Sequence, residues 1–191
     1  MKINEIFYSL QGEGHWTGTP AIFIRFAGCN LRCGFCDTNH ESGEEYDAEE
    51  LIKELSQYPA KRVILTGGEP GLQVNDELIE ILHREGYKVH IETNGTVKLP
   101  AAIDWVTCSP KSLHQKTGRI DELKVVAGES AVSFEDLGKF GEIEAGEYYL
   151  QPCDTGSDET NAENLEKCVE YILGHPQWRL SLQTHKMINI R

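Results

Sequence analysis

Five β-type runs in this chain end on residues that do chemistry. Residues 21–26 (A-I-F-I-R-F) run into Gly28-Cys29, and residues 62–66 (R-V-I-L-T) into Gly67-Gly68-Glu69-Pro70. Residues 88–92 (K-V-H-I-E) run into Thr93-Asn94-Gly95, residues 105–108 into Ser109-Pro110-Lys111, and residues 148–151 into Pro152. Two more strand candidates lie at 123–126 and 178–183. Helix-type segments separate the runs, at 47–58, 75–85, 133–139 and 161–173. The first opens on Asp47 with Glu50 three residues later, a capping-box signature. Strand and helix in alternation require crossover connections and a mostly parallel sheet. In an α/β barrel the carboxyl ends of such strands open onto one face, where ligands bind. One such terminus is an ordinary turn, since Gly and Pro punctuate every loop; five of them together describe a site.

Length and charge limit the rest. A chain of 191 residues supports one domain with a sizeable core, so residues 1–191 read as a single unit. The longest apolar runs fall well short of the roughly 18 residues that a membrane span needs. The opening M-K-I-N-E-I-F-Y-S-L-Q-G-E-G has no secretory-signal pattern, so a cytoplasmic protein is expected. A formal net charge of -13 argues against a nucleic-acid partner. Residues 154–160 (D-T-G-S-D-E-T) read as the flexible piece.

Of six cysteines, three are clustered as C-x3-C-x2-C: Cys29, Cys33 and Cys36. Clustered thiols in a reducing compartment suggest metal or catalysis rather than disulfides. Cys168 reads as a small buried apolar residue, and Cys108 and Cys153 lie beside the strand-end motifs. With His40, the three thiolates could close a structural zinc site. They could also hold an iron–sulfur cubane with one iron open. Their place at the mouth of the expected barrel favours the cluster.

The spacing resembles the signature of the radical S-adenosylmethionine (SAM) superfamily. There three cysteines hold a [4Fe–4S] cluster and SAM takes the fourth iron. Gly67-Gly68-Glu69-Pro70 resembles the segment that receives the SAM amino group, and Glu92 with Asn94 the region near its ribose. Ser109, Pro110, Lys111 and Gln151 are similar to further SAM contacts. The resemblance narrows at Phe7-Tyr8-Ser9-Leu10-Gln11-Gly12-Glu13-Gly14 and at Gly28-Cys29-Asn30-Leu31, Cys33 and Cys36-Asp37-Thr38. These are similar to the 7-carboxy-7-deazaguanine synthase family, over essentially the whole chain.

That resemblance implies a partial, clipped TIM-like barrel of about six parallel strands. It implies ring contraction of 6-carboxy-5,6,7,8-tetrahydropterin with loss of ammonia, on the way to queuosine. Leu10, Gln11, Gly12, Arg25, Thr66, His185 and Arg191 would bind substrate, with Arg25 clamping its carboxylate. Thr38 would contact Mg2+. A one-electron reductant such as flavodoxin or ferredoxin and a homodimer are further implications. A radical SAM glycyl-radical activase shares the cysteine spacing; the S-L-Q-G-E-G opening argues for the synthase.

Overall fold

The computed structural model describes residues 1–34, 36, 40–129 and 131–191. Its strands form one sheet: β1 (Lys2–Leu10), β2 (Pro20–Phe26), β3 (Glu44–Glu45), β4 (Arg62–Gly67), β5 (Lys88–Thr93), β6 (Trp105–Cys108), β7 (Glu122–Ala127), β8 (Glu147–Pro152) and β9 (Trp178–Leu180). Their spatial order is β3-β1-β2-β4-β5-β6-β7-β8-β9. From β2 to β9 every neighbouring pair is parallel, while β1 runs antiparallel to both β2 and β3.

Among the described residues the parallel part thus has seven strands, in keeping with the roughly six expected, and the sheet is open, as in a clipped barrel. The antiparallel β1 has no counterpart among the strands read from sequence, because its alternation is interrupted. Ile3 pairs with Phe26 and Glu5 with Arg25, so Asn4 is an extra residue in the ladder. Such a bulge shifts the side-chain parity.

Four helices join the strands or follow them closely: α1 (Ala48–Leu55), α2 (Asp76–Arg84), α3 (Leu137–Phe140) and α4 (Asp158–Gly174), with α5 (Thr184–Met187) after β9. Asp47 and Glu50 do form the capping box of α1. The segment expected to be flexible is built into the start of α4. Asn161 accepts from the Thr155 N–H and donates to Asp154, and Ser157 caps the helix.

Helices cover the convex face. Leu51 and Leu55 of α1 and Leu78, Ile79 and Leu82 of α2 pack against Ile22, Ile24, Val63, Leu65, Val89 and Ile91. Leu137, Phe140 and Cys168 cover Leu123, Val125 and Leu150 in a second cluster. Alternation along the strands sends the intervening side chains to the concave face. On β2 these are Ala21, Phe23 and Arg25, and on β7 Glu122, Lys124 and Val126. The convex face is thus dry, and the concave face carries the polar residues.

Ile24 is fully buried in the convex core. Ile24→Ala is expected to lower unfolding free energy by about 2–5 kcal/mol, read as a lower urea midpoint at unchanged slope.

Candidate active site

The concave face is filled from one side by the β1–β2 connection, residues 11–19. This loop is a closed hairpin: Gln11 N–H donates to Thr19, and Gly18 N–H to Gln11. Its tip occupies the amino-terminal end of the strands. Trp16 meets Trp105 edge-on at 5.5 Å, and the Arg62 guanidinium lies 4.0 Å from the Trp16 ring centre. The His15 ring is 2.8 Å from a Glu147 carboxylate oxygen. Arg62 donates through Nε to His90 Nε2, which requires a neutral imidazole. Burial, followed by the Arg62 charge, pulls His90 down to about 4.

The arms of the same loop reach the middle of the sheet. Glu13 accepts from Lys124 Nζ at 2.5 Å, from Gln183 at 2.8 Å and from Gln151 at 3.1 Å. Glu92 accepts from Gln11 at 2.8 Å and lies 3.6 Å from Lys124. The Lys124 side chain is only 4% exposed. Burial would drive both ions neutral, but their attraction is stronger. Glu13 is held down to about 2 from an ordinary 4.5, against its desolvation and by the adjacent Lys124. Lys124 is held above its ordinary range by Glu13, Glu92 and Glu122, again against desolvation.

Beyond this floor, toward the carboxyl ends of the strands, lies a cavity of about 470 Å³. Volumes of this size hold small organic ligands. Most of the residues singled out from sequence line it. Cys29, Cys33 and Cys36 contribute thiols. Leu10, Gln11, Gly12, Arg25, Thr66, His185 and Arg191 form one part of the wall, and Gly68, Glu92, Asn94, Ser109, Lys111 and Gln151 another. Glu69 and Pro110 stand behind the wall. Thr38 lies outside the described residues.

Glu69 is fully buried. Its carboxylate accepts from Thr93 Oγ1 (2.8 Å), Asn94 N–H (2.7 Å) and Gly71 N–H (3.0 Å). Burial raises its proton affinity, and these bonds oppose the rise. Glu69 thereby fixes Asn94, whose amide donates to Asn30 at 3.0 Å and approaches Cys29 Sγ at 3.9 Å. The backbone donors of this turn are already engaged: Gly68 N–H donates to the Phe26 carbonyl and Glu69 N–H to the Gly28 carbonyl. What Gly68 provides is closeness, since a Cβ there would stand 1.9 Å from the Gly28 carbonyl.

The three thiols share this wall without converging as ligands of a single ion. Among the described residues no three His, Cys, Asp or Glu side chains are so gathered. A cubane spreads its thiolate corners wider than one ion does. Burial raises the Cys33 thiol; the Lys111 ammonium opposes that rise, and Cys36 and Cys29 add to it. Cys108 and Cys168 are fully buried and pushed up to about 12, as apolar packing dictates. Cys153 also lines the cavity.

Arg25 shares the concave face with Phe23, as strand alternation predicts. An unpaired charge there would need an anion from the ligand, but this charge already has one. Glu5 accepts from Arg25 Nε at 2.8 Å. His185 is set by Gly12, whose carbonyl accepts from Thr184 N–H and Oγ1; a Cβ on Gly12 would lie 2.0 Å from His185 Nδ1.

Glu13, Lys124, Gln183 and Glu5 had no place in the sequence-derived site. Lys124 carried a usable signal, a lysine between Leu123 and Val125 in a buried strand.

Residues 23–173 match the radical SAM superfamily. A curated protein of Bacteroides thetaiotaomicron is 55% identical over 192 residues, spanning 100% of this chain and 98% of its own length; it is named 7-carboxy-7-deazaguanine synthase. One of the same name from Bradyrhizobium diazoefficiens is 40% identical, over 99% of this chain and 98% of its own length. The crystal structure of QueE from Escherichia coli superposes with a TM-score of 0.78 at 29% identity, covering 95% of this chain and 92% of that one.

The Glu13–Lys124 pair makes two linked predictions. Lys124→Met, which strands a buried carboxylate, is expected to cost about 3–5 kcal/mol in denaturant unfolding, much of it recovered on adding Glu13→Gln. Because Glu13 is depressed in the fold, its stabilisation is complete above 4.5 and lost as pH falls toward 2. Acid unfolding of Glu13→Gln should be correspondingly less steep.

Proposed function

Since the chain belongs to the 7-carboxy-7-deazaguanine synthase family of radical SAM enzymes, we propose that its cavity converts 6-carboxy-5,6,7,8-tetrahydropterin to 7-carboxy-7-deazaguanine and ammonia, for queuosine biosynthesis. The observation that carries this is spatial. One cavity brings Cys29, Cys33 and Cys36 together with Gln11, Arg25 and His185, from opposite ends of the sequence.

The three thiols suit a [4Fe–4S] cluster in number and softness. Cys29, Cys33 and Cys36 would hold it, and Gly68, Glu92, Asn94, Ser109, Lys111 and Gln151 would line the SAM site. When bound, the pair supplies an adenosyl radical, made by one-electron cleavage of the SAM sulfonium and restored to SAM after turnover. The residues of this chain bind and orient. Arg25 offers a planar fork to the substrate carboxylate, and a hydrogen bond between charged partners is roughly twice as strong as a neutral one. Gln11, Glu92 and Lys124 form a polar floor for the ring edge. Phe7 and Phe23, stacked 4.9 Å apart, give an apolar wall that keeps water from the reacting carbon. Ammonia is expelled from the substrate ring itself, so no group on the chain has to be consumed.

Thr38 is the proposed hydroxyl contact for Mg2+, an oxygen-seeking ion that would meet the substrate carboxylate. A flavodoxin or ferredoxin as reductant, a homodimer and a cytoplasmic setting belong to the same proposal. No helix among the described residues is long and apolar enough to cross a membrane. The activase reading is not favoured, since the relatives named above are synthases. The zinc-module reading gives way to membership of the superfamily.

Two measurements test the proposal. Anaerobically reconstituted protein should convert the pterin, whereas Cys33→Ala should lose both turnover and bound iron and sulfide; full loading of that variant would remove the cluster assignment. Thr38→Ala should flatten the dependence of rate on added Mg2+, and Thr38→Ser should largely keep it. An unaltered titration in the alanine variant would take Thr38 out of the metal site.

A further inference from the structure

Glu5 has no part in the reaction outlined above, yet two arginines of the cavity wall converge on it. Arg25 Nε donates to one carboxylate oxygen at 2.8 Å. Arg191 Nη2 donates to the other. Both guanidinium groups also lie over the Phe7 ring, at 5.8 Å and 5.1 Å from its centre. Arg191 is tied a second time, by its carbonyl to Ser9 Oγ at 2.6 Å. The segment from Thr184 onward is thereby strapped across the end of β1.

The β1 bulge makes this arrangement possible. Ile3 packs in the convex core, and two residues on, strict alternation would send residue 5 to the same side. The extra residue at Asn4 reverses the parity, so Glu5 lies on the same face of the sheet as Arg25, directly opposite it on β2. Thr66 of β4 sits beside Arg25 in register on the other flank.

We propose that Glu5 is a positioning residue for the substrate-carboxylate site: it fixes the orientation of Arg25 and, through Arg191, holds the segment 184–191 closed over the cavity. This rests on the functional reading above for the identity of the anion, but not for the strap. The alternative role for an internal carboxylate is that of a competitor, which occupies the arginines until substrate displaces it. The two roles predict opposite signs. Removing a competitor tightens substrate binding, whereas removing a positioning group weakens it.

Glu5→Gln keeps the shape and removes the charge, and Glu5→Asp keeps the charge on a shorter arm. The first measurement needs neither cluster nor substrate. In limited trypsin digestion of the intact protein, release of residues 187–191 by cleavage after Lys186 should be several-fold faster in Glu5→Gln than in wild type, and intermediate in Glu5→Asp. Arg191→Leu should match Glu5→Gln, and the double variant should be no faster than either. The second is kinetic: in Glu5→Gln the pterin KM should rise about tenfold, one charge-assisted contact's worth, while substrate-free SAM cleavage stays at the wild-type rate. An unchanged trypsin rate, or a KM that falls, overturns the proposal. If cluster-loaded wild type fails to convert the pterin, the functional reading fails and the trypsin comparison still decides the role of Glu5.

Discussion

A buried ammonium organises the concave face. Lys124 stands in the middle of a strand whose convex side is dry core, and its side chain is only 4% exposed. It is tolerable there because Glu13 and Glu92 approach from two other elements. Each then needs further partners, and Gln11, Gln151 and Gln183 supply them. The result is a connected polar layer in which side chains, added to the backbone ladders of the sheet, tie β5, β7 and β8 to the β1–β2 loop and the segment after β9. Such layers specify one arrangement because any slip leaves a buried ion unpaired. The cavity floor is the upper surface of this layer.

The open sheet depends on the same layer. A complete barrel would join its first and last strands by hydrogen bonds, but here β9 and β1 are not neighbours. The loop after β1 closes the gap instead: Gly14 N–H donates to Ser181 Oγ, and the Gly12 carbonyl receives Thr184. On the opposite side residues 28–30, where the cysteine loop begins, are held by close backbone contact with Gly68 and by Asn94. One wall is thus set by side-chain chemistry and the other by the absence of a side chain.

Much of this could be read from the chain because local rules decide it. Strand alternation placed Arg25 inside and Ile24 outside. Asp47 and Glu50 announced their helix, and the residues after five of the parallel strands marked the rim of the cavity. What could not be read has a common cause. The bulge at Asn4 breaks the alternation of β1, so its strand character is hidden and Glu5 appears to belong to the wrong face. Glu13 lies between glycines in what reads as a plain loop, and its partner is 111 residues away. Glu69 sits in a ligand-type motif, but its carboxylate serves Thr93 and Asn94, which depends on how β4 and β5 end side by side. Pairings of this kind are tertiary, and spacing in the sequence carries no trace of them.

The bridging of β1 to the segment after β9 also bears on how the protein comes to be folded. Ser9 and Arg191 are separated by 182 positions, and Glu13 and Gln183 by 170. Loops of that length close slowly compared with helices and adjacent strand pairs. The convex core, built from sequence neighbours such as β4, α2 and β5, can consolidate first. During synthesis, residues 11–19 would then wait, with Glu13 still hydrated, until residues 181–191 emerge. Lys124 would have Glu92 of β5 beside it in that interval, without the closer Glu13. On this order the scaffold is nearly finished before the site is complete, because the contacts that close the site are those of longest sequence separation.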